Sequence, residues 1–261
     1  MSMLKVFFLG RQSKATPAKA AFNLFVAASA IALFFYYSLA KVGISLDFAF
    51  LAKFRVRILD GFAMTIGISA ASLGLSLLLG LLSAAGHSAP FLPLRYACDI
   101  YVKFIRGTPL ITQIYLFFYL VGTAWGVDNR FLAGTVILSV FEGAYISEII
   151  RGSLISMPES QLEAARAVGF TREQSLRHVV LPQLVARTLP ALTGQFASII
   201  KDSSLLSIIA VAELTQSMKE ISATNFKLFE CYLFLGFLYL CLTLPITLAT
   251  KRLERRFGYV N

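Results

Sequence analysis

The chain has 261 residues, of which 57% are hydrophobic and only 15% charged. Soluble domains carry about 25% charged residues, so a solvated surface cannot be built here, and 23 Phe with 10 Tyr exclude disorder. The net charge of +10 lies in short clusters at the ends of apolar segments, which speaks against a nucleic-acid surface and fits a polytopic membrane protein.

Six spans are expected, each tested against the roughly 20 residues a membrane helix needs. The first runs from Phe22 to Ala40, preceded by Lys5, Arg11, Lys14 and Lys19, which favours a cytoplasmic N-terminus. A cleaved signal peptide is the alternative, weakened by the length of the apolar block. Residues 41–57 mix Phe and Leu with basic residues and read as an interfacial piece. The second span, near Asp60 to Ala85, carries Thr65, Ser69, Ser72 and Ser76 on one helical face. Small hydroxyl residues in a stripe favour close helix packing over ligand binding.

The third span is interrupted. Leu94–Ile105 is amphipathic, Arg106-Gly107-Thr108-Pro109 breaks it, and Leu110–Val121 continues as an apolar helix. The fourth is Phe131–Ile150, the fifth begins near Pro190, and the sixth is Glu230–Thr250, followed by Lys251, Arg252, Arg255 and Arg256. An even number of spans leaves both termini cytoplasmic. The basic loop before the fifth span agrees with that topology, whereas Lys41, Lys53, Arg55 and Arg57 violate it.

Residues 157–181 form the longest polar stretch, and they carry helix signals. Ser160-Gln161-Leu162-Glu163 fits a capping box, and Gly169 is placed to close the helix that follows. Thr171-Arg172-Glu173-Gln174 fits a second box, opening another helix that Pro182 disturbs. Two short helices at a fixed angle make a rigid knob.

Glu163-Ala164-Ala165, Gly169, Val179 and Leu181-Pro182, in that spacing, resemble the EAA loop of ABC-importer permeases, with Val179 where that family usually has Ile. Arg106-Gly107-Thr108-Pro109-Leu110, the block from Gly143 to Gly152, and Lys201-Asp202-Ser203-Ser204-Leu205 are similar to the polar-amino-acid subfamily, as are Ala212-Glu213-Leu214-Thr215 and the basic run from Arg252 to Arg256. The resemblance implies an all-α integral membrane bundle of about six helices: a five-helix type I importer core over 59–258 plus an N-terminal helix within 1–58. It implies that residues 151–187 are the cytoplasmic coupling loop, in which Ser160, Glu163, Ala164, Ala165 and Gly169 meet an ATPase. The implied partners are two cytoplasmic ATP-binding subunits, a second permease chain (identical or homologous), and an external solute-binding protein that delivers an amino acid.

Intramembrane polar groups are the candidates for substrate contact, because they are costly at that depth without a purpose. Gln195, Ser198 and Asp202 share one face of the fifth span, with Lys201 beside it. The alternative is that Lys201 and Asp202 only neutralise each other. Glu142 lies mid-span with Tyr145 on the same side; it could meet a substrate ammonium or be a buried structural carboxyl. Glu148 is expected to pair with Arg151 or Arg106, and Gln113 faces the interior in the family pattern.

No phosphate-cradling glycine loop occurs in the chain. No cofactor is therefore expected here, and ATP with Mg²⁺ falls to the partner ATPase. Cys98, Cys231 and Cys241 lack metal spacing, and His87 and His178 are isolated, so neither a metal site nor a catalytic residue is expected. An opine or osmolyte is the alternative solute, and a secondary transporter the alternative class.

Overall fold

The computed structural model describes residues 16–257, and these contain helices and no strand. The basic residues Lys5, Arg11 and Lys14 lie outside the described residues, and so do the side chains of Arg255 and Arg256. The chain divides into two units at Ala49 and Phe50.

The first unit contains α1 (Pro17–Val42), opened by the Thr16 side chain and by Pro17 in the first turn. Gly43, at φ +74°, closes it in the left-handed conformation, with its N–H bonded to Ala40 O at 3.1 Å. No residue of α1 is buried, as expected of an apolar helix whose solvent is lipid.

The second unit opens with a 3₁₀ turn and then α2 (Arg55–His87), which starts five residues before the expected boundary. The expected interfacial piece supplies Phe50, Leu51 and Phe54, which pack on a cluster of Ile58, Leu214, Met218 and Ile221. α3 (Leu92–Gly107) and α4 (Leu110–Tyr115) follow, α4 continuing as a π turn over Leu116–Gly122. The expected break falls at Thr108-Pro109, but it is sharper than an interruption, since the two halves turn by 113°. Pro109 withdraws a donor and both residues adopt extended backbone, so the helix direction is lost there.

The central helix is α5 (Arg130–Ile155), capped by the Asn129 side chain. It packs along α2 through a seam of small residues. Thr65, Ser69, Ser72 and Ser76 are all buried, so the hydroxyl stripe is indeed a packing face. Ser72 Oγ donates to Thr135 O at 3.2 Å, Ser139 Oγ donates to Ser72 O at 3.3 Å, and Ser147 Oγ donates to Ser83 Oγ at 3.1 Å. At Gly80 the helices come so close that a Cβ would stand 2.5 Å from Ile146 Cγ2. In lipid, where apolar burial gives no drive for association, such contacts and hydrogen bonds hold helices together.

α6 (Glu159–Ala167), α7 (Arg172–Ser175) and α8 (Leu181–Asp202) follow. α8 begins at Leu181 rather than at Pro190, which lies inside the helix. A 3₁₀ segment over Ser203–Ile209 leads to α9 (Leu214–Asn225) and α10 (Leu228–Phe257). Among the described residues, four helical segments are long and apolar enough to cross a bilayer, and the bent pair makes a fifth if it is counted as one span. α8 is not among them, because Gln183, Arg187, Gln195, Lys201 and Asp202 dilute its apolar character. The expected fifth span is thus an amphipathic helix.

Candidate functional site

Glu142 sits at the middle of α5, fully enclosed at 0% exposure. A carboxyl there needs a partner, and α8 supplies two. Gln195 Nε2 donates to Glu142 Oε2 in a short hydrogen bond, and the Asp202 carboxyl lies within hydrogen-bonding reach of Glu142. The other oxygen of Glu142, Oε1, has no donor among the described residues. Gln195, Ser198 and Asp202 are half-buried on one face of α8, at spacings of three and four. Two acidic groups in contact hold together through a shared proton or through a cation between them. The arrangement therefore offers acceptor oxygens to a cationic group.

Lys201 is not that cation. It is exposed, and among the described residues no ion pair joins it to Asp202. Adjacent residues on a helix point about 100° apart, so the Lys201 charge acts on the Asp202 carboxyl without a direct contact.

Tyr145 belongs to a different group. Its ring lies 5.5 Å from the Arg106 guanidinium and 5.1 Å from the Phe141 ring. Arg106 Nη1 stands 3.3 Å from Glu148 Oε2, and Arg151 engages Glu148 through Nε and Nη2. The expected partners of Glu148 are both present, and the carboxylate ties α3 to α5.

Gln113 is buried, and its amide nitrogen is spent on the chain itself, while Oε1 has no partner among the described residues. Nε2 donates to Ile105 O at 2.8 Å, Thr108 Oγ1 at 2.8 Å and Thr108 O at 3.2 Å. These are carbonyl and hydroxyl acceptors that the break at Pro109 leaves open, so Gln113 stitches the bend. The structure does not bring it to the acidic pair.

In the polar loop, the first expected capping box is absent. Pro158 is the N-cap of α6, with no side-chain cap bond, and Ser160 is the second helical residue. Pro158 has the extended backbone that precedes a helix, so the N-cap lies two residues before Ser160 and Ser160 is already helical. Ser160, Glu163 and Ala164 are exposed, while Ala165 is buried. Gly169 closes the helix as expected, at φ +83°, with its N–H bonded to Arg166 O and the Phe170 N–H bonded to Ala165 O, each at 3.0 Å.

The second box is present in both halves, Gln174 N to Thr171 Oγ1 at 3.2 Å and Thr171 N to Gln174 Oε1 at 2.8 Å. The helix it opens is not a separate short one. It runs through a π turn over Leu176–Val180 into α8, and the wider turn ahead of Pro182 lets the helix continue.

Glu213 carried no role in the sequence reading, yet it is buried and caps α9. It accepts from Thr215 N and Gln216 N, both at 2.7 Å, and from the Tyr239 hydroxyl at 2.9 Å. No group of His, Cys, Asp and Glu that could hold a metal occurs among the described residues.

The chain is 35% identical over 198 residues to the probable glutamine ABC transporter permease protein GlnM of Bacillus subtilis, covering 76% of this chain and 92% of that one. It is 36% identical over 197 residues to the L-cystine transport system permease protein TcyB of the same organism, covering 75% and 84%. The glutamine permease GlnP of Escherichia coli is 35% identical over 202 residues, covering 76% and 92%.

Among solved structures, a chain of an amino acid ABC transporter crystallised with histidines superposes with a TM-score of 0.76 at 30% identity, covering 82% of this chain and all of that one. A chain of the methionine transporter MetNI shares the fold at a TM-score of 0.67 and 19% identity, covering 78% and 98%. Residues 76–259 match the family described as the inner membrane component of binding-protein-dependent transport systems, and this inner-membrane permease chain belongs to that family.

Proposed function

We propose that this chain is the permease subunit of an ATP-driven importer for polar amino acids, and that Glu142, Gln195 and Asp202 contact the substrate. The observation that carries the reading is the acidic pair joined across α5 and α8 by Gln195, with Glu142 Oε1 left without a donor. Relatives are named for glutamine, cystine and glutamate/aspartate. Those solutes differ in side-chain charge but share an α-ammonium and an α-carboxylate. An acidic cluster suits the ammonium, and Ser198 on the same face of α8 would border the bound solute.

In this reading two ATP-binding subunits hydrolyse ATP with Mg²⁺, and the chain itself binds no cofactor and does no chemistry. A second permease chain completes the pathway, and a solute-binding protein delivers the amino acid. Both termini are cytoplasmic, residues 1–58 are an appended segment, and residues 59–258 form the transport core. Residues 151–187 form the coupling loop, with the exposed face of α6 offered to the ATPase.

The test is uptake by the complex reconstituted in vesicles, with Glu142→Gln and Asp202→Asn. Hydrogen bonds to charged groups are worth about 1.5–3 kcal/mol, which converts to a loss of roughly 10- to 150-fold in apparent affinity. Assembly and basal ATP hydrolysis should persist. Unchanged uptake in both variants would overturn the assignment, as would loss of assembly that Lys201→Gln restores in the Asp202→Asn background.

A further inference from the structure

A polar cavity of about 600 Å³ opens where the C-terminal ends of α2 and α5 meet the start of α3. Arg95, Asp99, Arg151, His87 and Tyr96 line it, and Leu92 and Ile155 form its apolar edge. The acidic pair of the transport site lies elsewhere, and no step proposed above uses this cavity.

Its chemistry carries both signs. Arg95 is exposed and makes no ion pair among the described residues. Arg151 gives Nε and Nη2 to Glu148, and Asp99 is bonded to Lys103 at 2.7 Å while lying within electrostatic range of His87 and Arg151. The charged residues that line the cavity are Arg95 and Arg151 against Asp99, with Lys103 bonded to Asp99 and Glu148 bonded to Arg151 from beside it. His87 is tethered through Nδ1 to Ser83 O at 2.8 Å, so Nε2 is its remaining polar atom.

The surroundings say which kind of molecule could bring matching charges. Leu92 and Tyr96 at the cavity, with Phe91, Leu94, Ile100 and Phe104 along the same helix, are large, exposed and apolar. A helix end with that surface lies where hydrocarbon meets headgroups, and basic pockets between helices at this level take lipid phosphates. A free solute would have no use for the apolar edge, whereas an acyl chain would.

We propose that this cavity is a headgroup site for a phospholipid carrying a phosphate and a primary ammonium, which is the chemistry of phosphatidylethanolamine. Arg95 and Arg151 face the phosphate, Asp99 receives the ammonium in place of the exposed Lys103 that now holds it, and the acyl chains follow Leu92, Tyr96 and Ile155 into the bilayer. A headgroup bearing only negative charge would leave Asp99 opposed to it. A quaternary ammonium would offer Asp99 no N–H donor.

Native mass spectrometry of the delipidated full chain, with phosphatidylethanolamine, phosphatidylglycerol or phosphatidylcholine added back, tests the assignment. The first phosphatidylethanolamine should bind at least fivefold more tightly than either of the others. Arg95→Gln, an exposed change that leaves the packing alone, should weaken it at least fivefold. Asp99→Asn should abolish the preference over phosphatidylglycerol. Equal retention of the three lipids, or variants that keep phosphatidylethanolamine as the parent does, would overturn the proposal. Displacement of that lipid by free glutamine would also overturn it, in favour of a solute site.

Discussion

The seam between α2 and α5 makes a sharp quantitative claim at Gly80. A Cβ built there would lie 2.5 Å from Ile146 Cγ2, 2.8 Å from Ile146 Cβ and 3.0 Å from Gly143 O. Two of those atoms belong to a fully buried side chain and the third is backbone, so relief requires the helices to part. Gly74, on the exposed side of the same helix, has nothing within 4 Å of such a Cβ. Gly74→Ala and Gly80→Ala therefore share the helix-propensity gain of up to about 1 kcal/mol and differ in the clash alone.

Overpacking of this kind costs about 1–3 kcal/mol. At about 2–4 °C per kcal/mol for a chain of this size, Gly80→Ala should melt roughly 2–12 °C below Gly74→Ala. A thiol-reactive dye reading the buried Cys231, with Cys98 and Cys241 changed to Ser, follows unfolding in detergent. Adding Ile146→Ala removes the clashing Cγ2, so the double variant should melt above the sum of the two single losses, with coupling of at least about 1 kcal/mol. Equal melting of Gly80→Ala and Gly74→Ala would refute the close approach.

At Gly169, φ is +83° and a Cβ meets nothing within 4 Å, so Gly169→Ala tests backbone strain without steric contact. It should cost about 1–2 kcal/mol locally and lower substrate-stimulated ATP hydrolysis in an assembled complex, while Gly152→Ala, equally open and without positive φ, should leave that rate unchanged. Gln113→Leu keeps the bulk but removes three donor contacts at the α3–α4 bend. Leaving those acceptors open should cost about 1–3 kcal/mol, read as a lower melting temperature and as faster proteolysis near Thr108.

Where the sequence carried a strong local signal, the structure repeats it. The spacing of Thr65, Ser69, Ser72 and Ser76 by three and four residues named the packing face, because small hydroxyl residues in lipid have few other uses. Gly169 and the Thr171–Gln174 box are legible for the same reason, each needing only a turn of chain. The failures share a cause as well. Ser160–Glu163 matched a capping pattern, but Pro158 set the helix start earlier, and a pattern of four residues cannot say which of two starts wins. Tyr145 and Glu142 share a side of α5, yet neighbours from different helices separate them, Arg106 for one and α8 for the other. Glu213 caps α9 through neighbouring N–H groups, but Glu is not among the usual N-cap residues, and its contact with Tyr239, 26 residues away, leaves no local signal.

Two helices of unequal freedom meet at the acidic pair, and that inequality bears on how transport would be coupled. α5 is held by a seam of buried small residues, and its Glu142 is fixed with it. α8 buries only Thr188, Thr193 and Ile199, and its Gly194 has no neighbour within 4 Å of where a Cβ would be. From Leu181 to Gln195 is 14 residues, about 21 Å of helix, running from the π turn beside α6 to the substrate cluster. On the proposed reading, a push on α6 reaches Gln195 along that length, whereas Glu142 stays with the clamped pair of α2 and α5. The bond between Gln195 and Glu142 is then the contact that opens or closes with the ATPase cycle, and the carboxyls it releases become available to the ammonium of the solute.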